Sequence, residues 1–182
     1  MSANLVRWGA IGLMVGGVVW VLFGIIGAAG GPVVAAQPFP LLLSIIAELL
    51  GALGLVGFHA LQQGSYGDLG KWGFYTTIAG IAAQVLGTLV ALFGSAALTW
   101  LVFPVGFLLI FVGLVLYGGA TLEARLLPLW CGVVLIITMP VDFLLQQYGG
   151  IWVGLVFLAL GYVLWLRRDT APTPRERPSR VR

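Results

Sequence analysis

Apolar and polar positions alternate along this chain on the scale of whole helices rather than single residues. Six long apolar runs, roughly 5–29, 40–61, 71–94, 97–118, 126–146 and 149–166, are each bounded by charge, glycine or proline. A helix needs about 20 mostly apolar residues to cross the hydrocarbon of a bilayer, so each run predicts one transmembrane helix. The last run is the shortest. The first could be mistaken for a signal peptide, because Arg7 precedes it and small residues follow. Its apolar stretch, Trp8 to Ala29, is longer than the ~7–15 residues of a signal-peptide core, and it predicts a retained helix.

Composition makes the membrane reading firmer. Of 182 residues, 60% are apolar and 8% charged, against about 45–50% and ~25% in an average soluble domain. There is too little polar surface to face water, and a bilayer suits what remains. The nine basic residues then set orientation. Arg7 precedes the first helix, Lys71 lies between the second and third, and Arg125 lies between the fourth and fifth. Arg167, Arg168, Arg175, Arg177, Arg180 and Arg182 follow the sixth. With six crossings all of these fall on one side, and the opposite loops "AGGPVVAAQPFP", "GSAA" and "QQYGG" carry no charge. Basic loops stay cytoplasmic, so both termini are predicted inside, in the cell (inner) membrane. Trp8, Trp72, Trp130 and Trp165 near the inner ends, and Trp100 and Trp152 near the outer ends, fit interfacial aromatic belts.

The expected fold is therefore all-α, a polytopic six-helix transmembrane bundle over 1–166. The echo of "RWG" at 7–9, "KWG" at 71–73 and "LWCG" at 129–132 raises the prospect of three repeated helical hairpins. Residues 167–182 form a basic, proline-rich tail without apolar periodicity, predicted to be disordered and cytoplasmic. The tail's +4 against the chain's +3 leaves −1 for the membrane body. Ala79, Ala83, Gly87, Ala91 and Ser95 recur every four residues in the third helix, with Gly12/Gly16 and Gly150/Gly154 elsewhere. Such ridges let helices approach closely in lipid.

Candidate chemistry comes down to the polar groups inside these runs. At ~1.5 Å of rise per residue, Glu48, Gln84, Asp142 and Trp20 lie roughly 13, 15, 8 and 13 Å below the outer edge. All four fall between the midplane and the outer surface. Pro104 and Pro140 lie in the same layer, and each frees a backbone carbonyl and bends its helix. Unpaired carbonyls at that depth need partners or a wet cavity, so the two prolines are read as cavity-shaping. Polar stripes follow helical spacing: Ser44, Glu48, Leu55 and His59; Thr77, Gln84, Thr88 and Ser95; Thr138, Asp142 and Gln146. A charged acid in a bilayer costs about 2.5–3.5 kcal/mol or more, and no Lys or Arg lies within a run to pair with Glu48. Glu48 is thus expected either to be neutral and hydrogen-bonded or to hold a cation.

What is missing narrows the function. Cys131 is the only cysteine and His59 the only histidine. A CxxC redox pair, a Cys-based zinc site and a bis-histidine haem are excluded within the chain. Cys131 is read as a packing residue, His59 as an interfacial polar tip, and Tyr66, Asp68 and Lys71 as a solvated loop. No nucleotide-binding loop or hydrolase motif is present, so the chain reads as non-enzymatic, with no cofactor called for.

The opening "LVRWGAIGLMVGGVVW" resembles the start of many uncharacterised bacterial multi-pass membrane proteins, a likeness of about 25 residues that implies no activity. Size, six crossings and an outward polar layer are similar to the substrate-binding subunits of energy-coupling-factor vitamin transporters, an analogy of architecture.

Two functions are expected from this reading. One is binding or transport of a small ligand, proton or cation that arrives from the outer side and meets Trp20, Glu48, Gln84 and Asp142. The other is a structural or accessory subunit of a larger membrane complex. Expected partners are the lipid bilayer, the ligand or cation, and other membrane subunits or a second copy docking on the small-residue ridges. Nothing points to nucleic acid.

Overall fold

A computed structural model describes residues 3–62, 64–94 and 96–167, with the backbone alone at 3, 32, 33, 35 and 96–100. The predicted disordered tail lies outside the described residues beyond Arg167. The described chain is helical nearly throughout: α1 (Ala3–Ala35), α2 (Pro38–Gln62), α3 (Asp68–Leu92), α4 (Ala96–Ala124), α5 (Leu129–Leu145) and α6 (Gly149–Arg167). A 3-10 turn at Gln146–Tyr148 joins α5 to α6.

By length and composition, five stretches are able to cross a membrane. Four are single helices, and the fifth is the 39-residue run Leu129–Arg167, which contains α5, the turn and α6. The sequence reading divided that run into two crossings, a finer division than length and composition support. Helix bounds differ from the predicted ones: α1, α2 and α4 extend past their runs at both ends, whereas α5 falls within 126–146 and α3 ends at Leu92. The presumed loop 29–40 is largely helical, because α1 continues through a kink at Gly31. There φ is 71° and ψ is −175°, a region open almost only to glycine. The following Pro32 further disfavours helical geometry at residue 31.

Packing follows glycine. A β-carbon on Gly9 would stand 2.6 Å from the backbone of Gly57, which places α1 directly on α2. A β-carbon on Gly17 would meet the carbonyl of Gly154 at 2.7 Å, and Gly161 faces Met14, so α6 runs antiparallel along the other side of α1. Gly80 faces Ile110 and Gly106, and Gly87 faces Phe103, which seats α3 antiparallel on α4. Gly118 faces Gly132 where α4 meets α5. Lipid tails are as apolar as leucine, so this close backbone approach, through van der Waals contact, is what holds such a bundle together.

The four-residue ridge predicted on the third helix is not the one used against α4. Ala79 is exposed and Ala83 and Ala91 are half-buried, while Gly73, Gly80 and Gly87, seven residues apart, face α4. Ser95 lies outside the described residues.

Two three-helix units result. α1 packs along α2 and α6, and α4 packs along α3 and α5. The units meet chiefly through α2 with α3 and α5 with α6, much slighter contacts. This grouping differs from three equivalent hairpins, since α1 leans on α6 as heavily as on α2 and α5 leans on α4 more than on α6. The predicted repeat has no counterpart in the packing. The described ends come together: the Arg7 guanidinium lies 6.0 Å from the centre of the Trp165 ring, a cation–π spacing. Trp8, Trp72 and Trp130 are exposed near the same end, whereas the side chain of Trp100 lies outside the described residues.

Candidate functional site

Between the two units lies a cavity of about 530 Å³, within the usual range of small-molecule sites. All six helices contribute to it. Its wall includes Trp20 from α1, Glu48 from α2, Gln84 from α3 and Asp142 from α5. These are the four residues that depth alone placed in one layer. Pro104 and Pro140 behave differently. Both are exposed, neither borders the cavity, and α4 and α5 run on through them.

The polar stripes also converge. Ser44, Thr77, Thr88 and Thr138 line the cavity. Each hydroxyl donates to a carbonyl of its own helix: Ser44 to Leu41 at 2.8 Å, Thr77 to Gly73 at 2.8 Å, Thr88 to Gln84 at 3.0 Å and Thr138 to Val134 at 2.6 Å. With their protons committed, these oxygens are left as acceptors, and that of Thr77 lies against Gly113 of α4. Gln84 is 6% exposed, and its Oε1 is buried without a partner. Glu48 is half-buried, and its Oε2 is likewise buried and unpartnered. An unsatisfied buried polar atom costs roughly 1–3 kcal/mol, so both oxygens favour a donor that reaches them.

Asp142 sits where α5 hands over to α6. Its Oδ1 lies against Gly149, the first residue of α6, and the start of a helix favours negative charge. Gln146 beside it adopts φ 49° and ψ −113°, strained for any residue but glycine, and its side chain borders the cavity.

Polarity is graded along the cavity. Gly31, Leu41, Gln146 and Gln147 border it at the end of the bundle that carries the 36–37 and 146–148 connections. Leu13, Leu55, Phe58, Leu114 and Leu160 border it toward the opposite end, and these are all buried. Between them stand Phe23, Phe103, Phe107 and Phe157. Sequence reasoning missed these four. A phenylalanine in an apolar run reads the same whether it meets lipid, a neighbouring helix or a cavity.

Below the apolar end, a cluster of rings closes the bundle. His59 stacks on Phe74 with ring centres 4.1 Å apart, and its Nδ1 pairs with the Tyr66 hydroxyl. Tyr117, fully buried, meets Tyr66 edge-on at 5.9 Å. Tyr66 is thus buried rather than part of a solvated loop. Burial pushes its phenol up to about 12. His59 is half-buried in the last turn of α2. Only Asp68 and Lys71 keep the expected character, an exposed ion pair at 3.0 Å. Cys131 is buried in the core. Among the described residues no group of His, Cys, Asp and Glu is arranged to hold a metal ion.

Comparison with protein-family models, with curated proteins and with solved structures yields no match to this chain.

Proposed function

We propose that this chain is a non-enzymatic membrane protein that binds or transports a small ligand, proton or cation through a site at Trp20, Glu48, Gln84 and Asp142. One observation carries the reading: four polar side chains, from four helices and both three-helix units, border a single cavity. Two of the four, Glu48 and Gln84, present buried, unpartnered oxygens. In this reading Glu48 is the charge-bearing or proton-exchanging group. The division into two slightly connected units favours transport, because a cavity at such a seam opens when one unit rocks against the other.

The proposal includes six crossings of the inner membrane with both termini cytoplasmic. The turn at 146–148, the antiparallel approach of α6 to α1, and the gathering of Arg7, Lys71, Arg125 and Arg167 at one end support it. The cavity then faces the outer side. The alternative, an accessory subunit of a larger complex, draws on the exposed Ala79 on α3. Of the described residues of the predicted ridge, Ala79 alone is exposed, which is a weaker argument than a shared cavity.

The test is a thermal-shift and native mass spectrometry screen of the purified protein against a broad small-molecule library, with Glu48→Gln alongside. A ligand whose stabilisation disappears in Glu48→Gln is the expected result. Identical behaviour of the two proteins across the library would sink the proposal.

A further inference from the structure

The cavity's charge inventory is one-sided. Glu48 and Asp142 supply carboxyl groups, Gln84 supplies an unpartnered oxygen, and the hydroxyls of Ser44, Thr88 and Thr138 have already donated their protons within their own helices. No Lys, Arg or His is among the described residues that border it. Nitrogen donors on the wall are the Trp20 indole and the amides of Gln84, Gln146 and Gln147. With two carboxyl groups and no basic side chain among the bordering residues, the cavity is better matched by a cation than by an anion.

Two features separate an organic cation from an inorganic one. A metal ion of the hard type takes about 6–8 oxygens in a tight shell, and no metal-holding group of side chains is present among the described residues. The remaining wall is aromatic and aliphatic. Trp20, Phe23, Phe103, Phe107 and Phe157 border the cavity, and aromatic rings attract ammonium groups most strongly where water is excluded. The grading of polarity adds a direction. Glu48, Gln84 and Asp142 all border the cavity, and Leu13, Leu55, Phe58, Leu114 and Leu160 at its far end are apolar.

We infer that the ligand is a small amphiphilic amine or quaternary ammonium, its cationic head between Glu48, Gln84 and Asp142 and its apolar body toward Leu55, Phe58 and Leu114. This rests on the proposed binding function and narrows its ligand class. Gln84 takes part through its buried, unpartnered oxygen, which an N–H donor or the polarised hydrogens of an alkylammonium would face.

The full-length chain in lipid nanodiscs provides the test. Thermal unfolding is followed with benzyltrimethylammonium, with neopentylbenzene, which has carbon in place of the nitrogen, and with the anion phenylmethanesulfonate. Benzyltrimethylammonium is expected to stabilise the protein most and the anion not at all. Glu48→Gln and, separately, Asp142→Asn are each expected to weaken ammonium binding by about tenfold or more, with neopentylbenzene unaffected. If neopentylbenzene or the sulfonate stabilises the wild type as well as the ammonium does, the ligand class is wrong and the binding site stands. If the library screen yields Glu48-dependent ligands that are not cations, the outcome is the same. If neither probes nor library stabilise the protein, both readings fall. The wild-type comparison of the three probes decides the class even if a variant fails to fold.

Discussion

Gln84 shows what a single residue trades away. Its side chain is almost fully buried, yet its Oε1 has no partner. In the ligand-free protein this is a cost, so Gln84→Leu should raise stability by about 1–2 kcal/mol. The same change should abolish ligand-dependent stabilisation. Chemical unfolding in micelles, with and without a hit from the screen, reads both effects, and a Gln84→Leu protein that is less stable and still binds would contradict this account. Tyr66 supplies a prediction of a different kind. Burial raises its phenol from 10.0 to about 12, so folding favours the protonated form. The corresponding stability is fully present below pH 10 and is lost as pH rises through about 12. Tyr66→Phe should cost roughly 1 kcal/mol at neutral pH through the lost contact with His59. It should also flatten the alkaline fall, and unfolding curves from pH 8 to 12 would reveal whether it does.

At the scale of the helix, glycine spacing matters more than hydrophobic patterning. Every face of these helices is apolar, so apolarity cannot say which face meets protein and which meets lipid. Close approach can. A β-carbon at Gly80 would stand 2.6 Å from the Ile110 nitrogen and 2.9 Å from the Gly106 carbonyl, while one at Gly119 would meet nothing within 4 Å. Gly80→Ala should therefore destabilise the protein by about 1–3 kcal/mol, through overpacking between α3 and α4. Gly119→Ala, with no such contact, should be neutral or slightly stabilising, by up to ~1 kcal/mol. Parallel unfolding measurements of the two variants test whether helix approach, rather than glycine content, sets stability. The seven-residue spacing of Gly73, Gly80 and Gly87 was present in the sequence all along. The four-residue series of Ala79, Ala83, Gly87 and Ala91 drew attention instead, because both patterns look alike until a partner helix selects one.

For the molecule as a whole, the open matter is how many times the chain crosses. Leu129–Arg167 is one apolar stretch by length and composition, yet the turn at 146–148 divides it. In a Cys131→Ser background, cysteines placed singly at Ala36, Gly64 and Gln147 should separate the alternatives in intact cells. Six crossings with both termini inside predict that a membrane-impermeant maleimide labels positions 36 and 147 directly. Position 64 should label only after permeabilisation. Protection of position 147 in intact cells, with labelling of a cysteine at 167, would point to a single crossing by α5 and α6 together.

The sequence by itself determined the solvent and the helical class. Those properties depend on composition and on the length of apolar runs at about 1.5 Å of rise per residue, and both are local. It also ranked Trp20, Glu48, Gln84 and Asp142 as the residues to watch, since polar groups in lipid are costly wherever they point. Only the tertiary structure decided that these four border one cavity, that Pro104 and Pro140 turn away from it, and that Tyr66 is buried under its apolar end. Those facts depend on the rotation of each helix about its axis and on which neighbour it meets. In a chain apolar on every side, that rotation is set by the fit of glycine against backbone across two helices, which becomes visible only when both are in place.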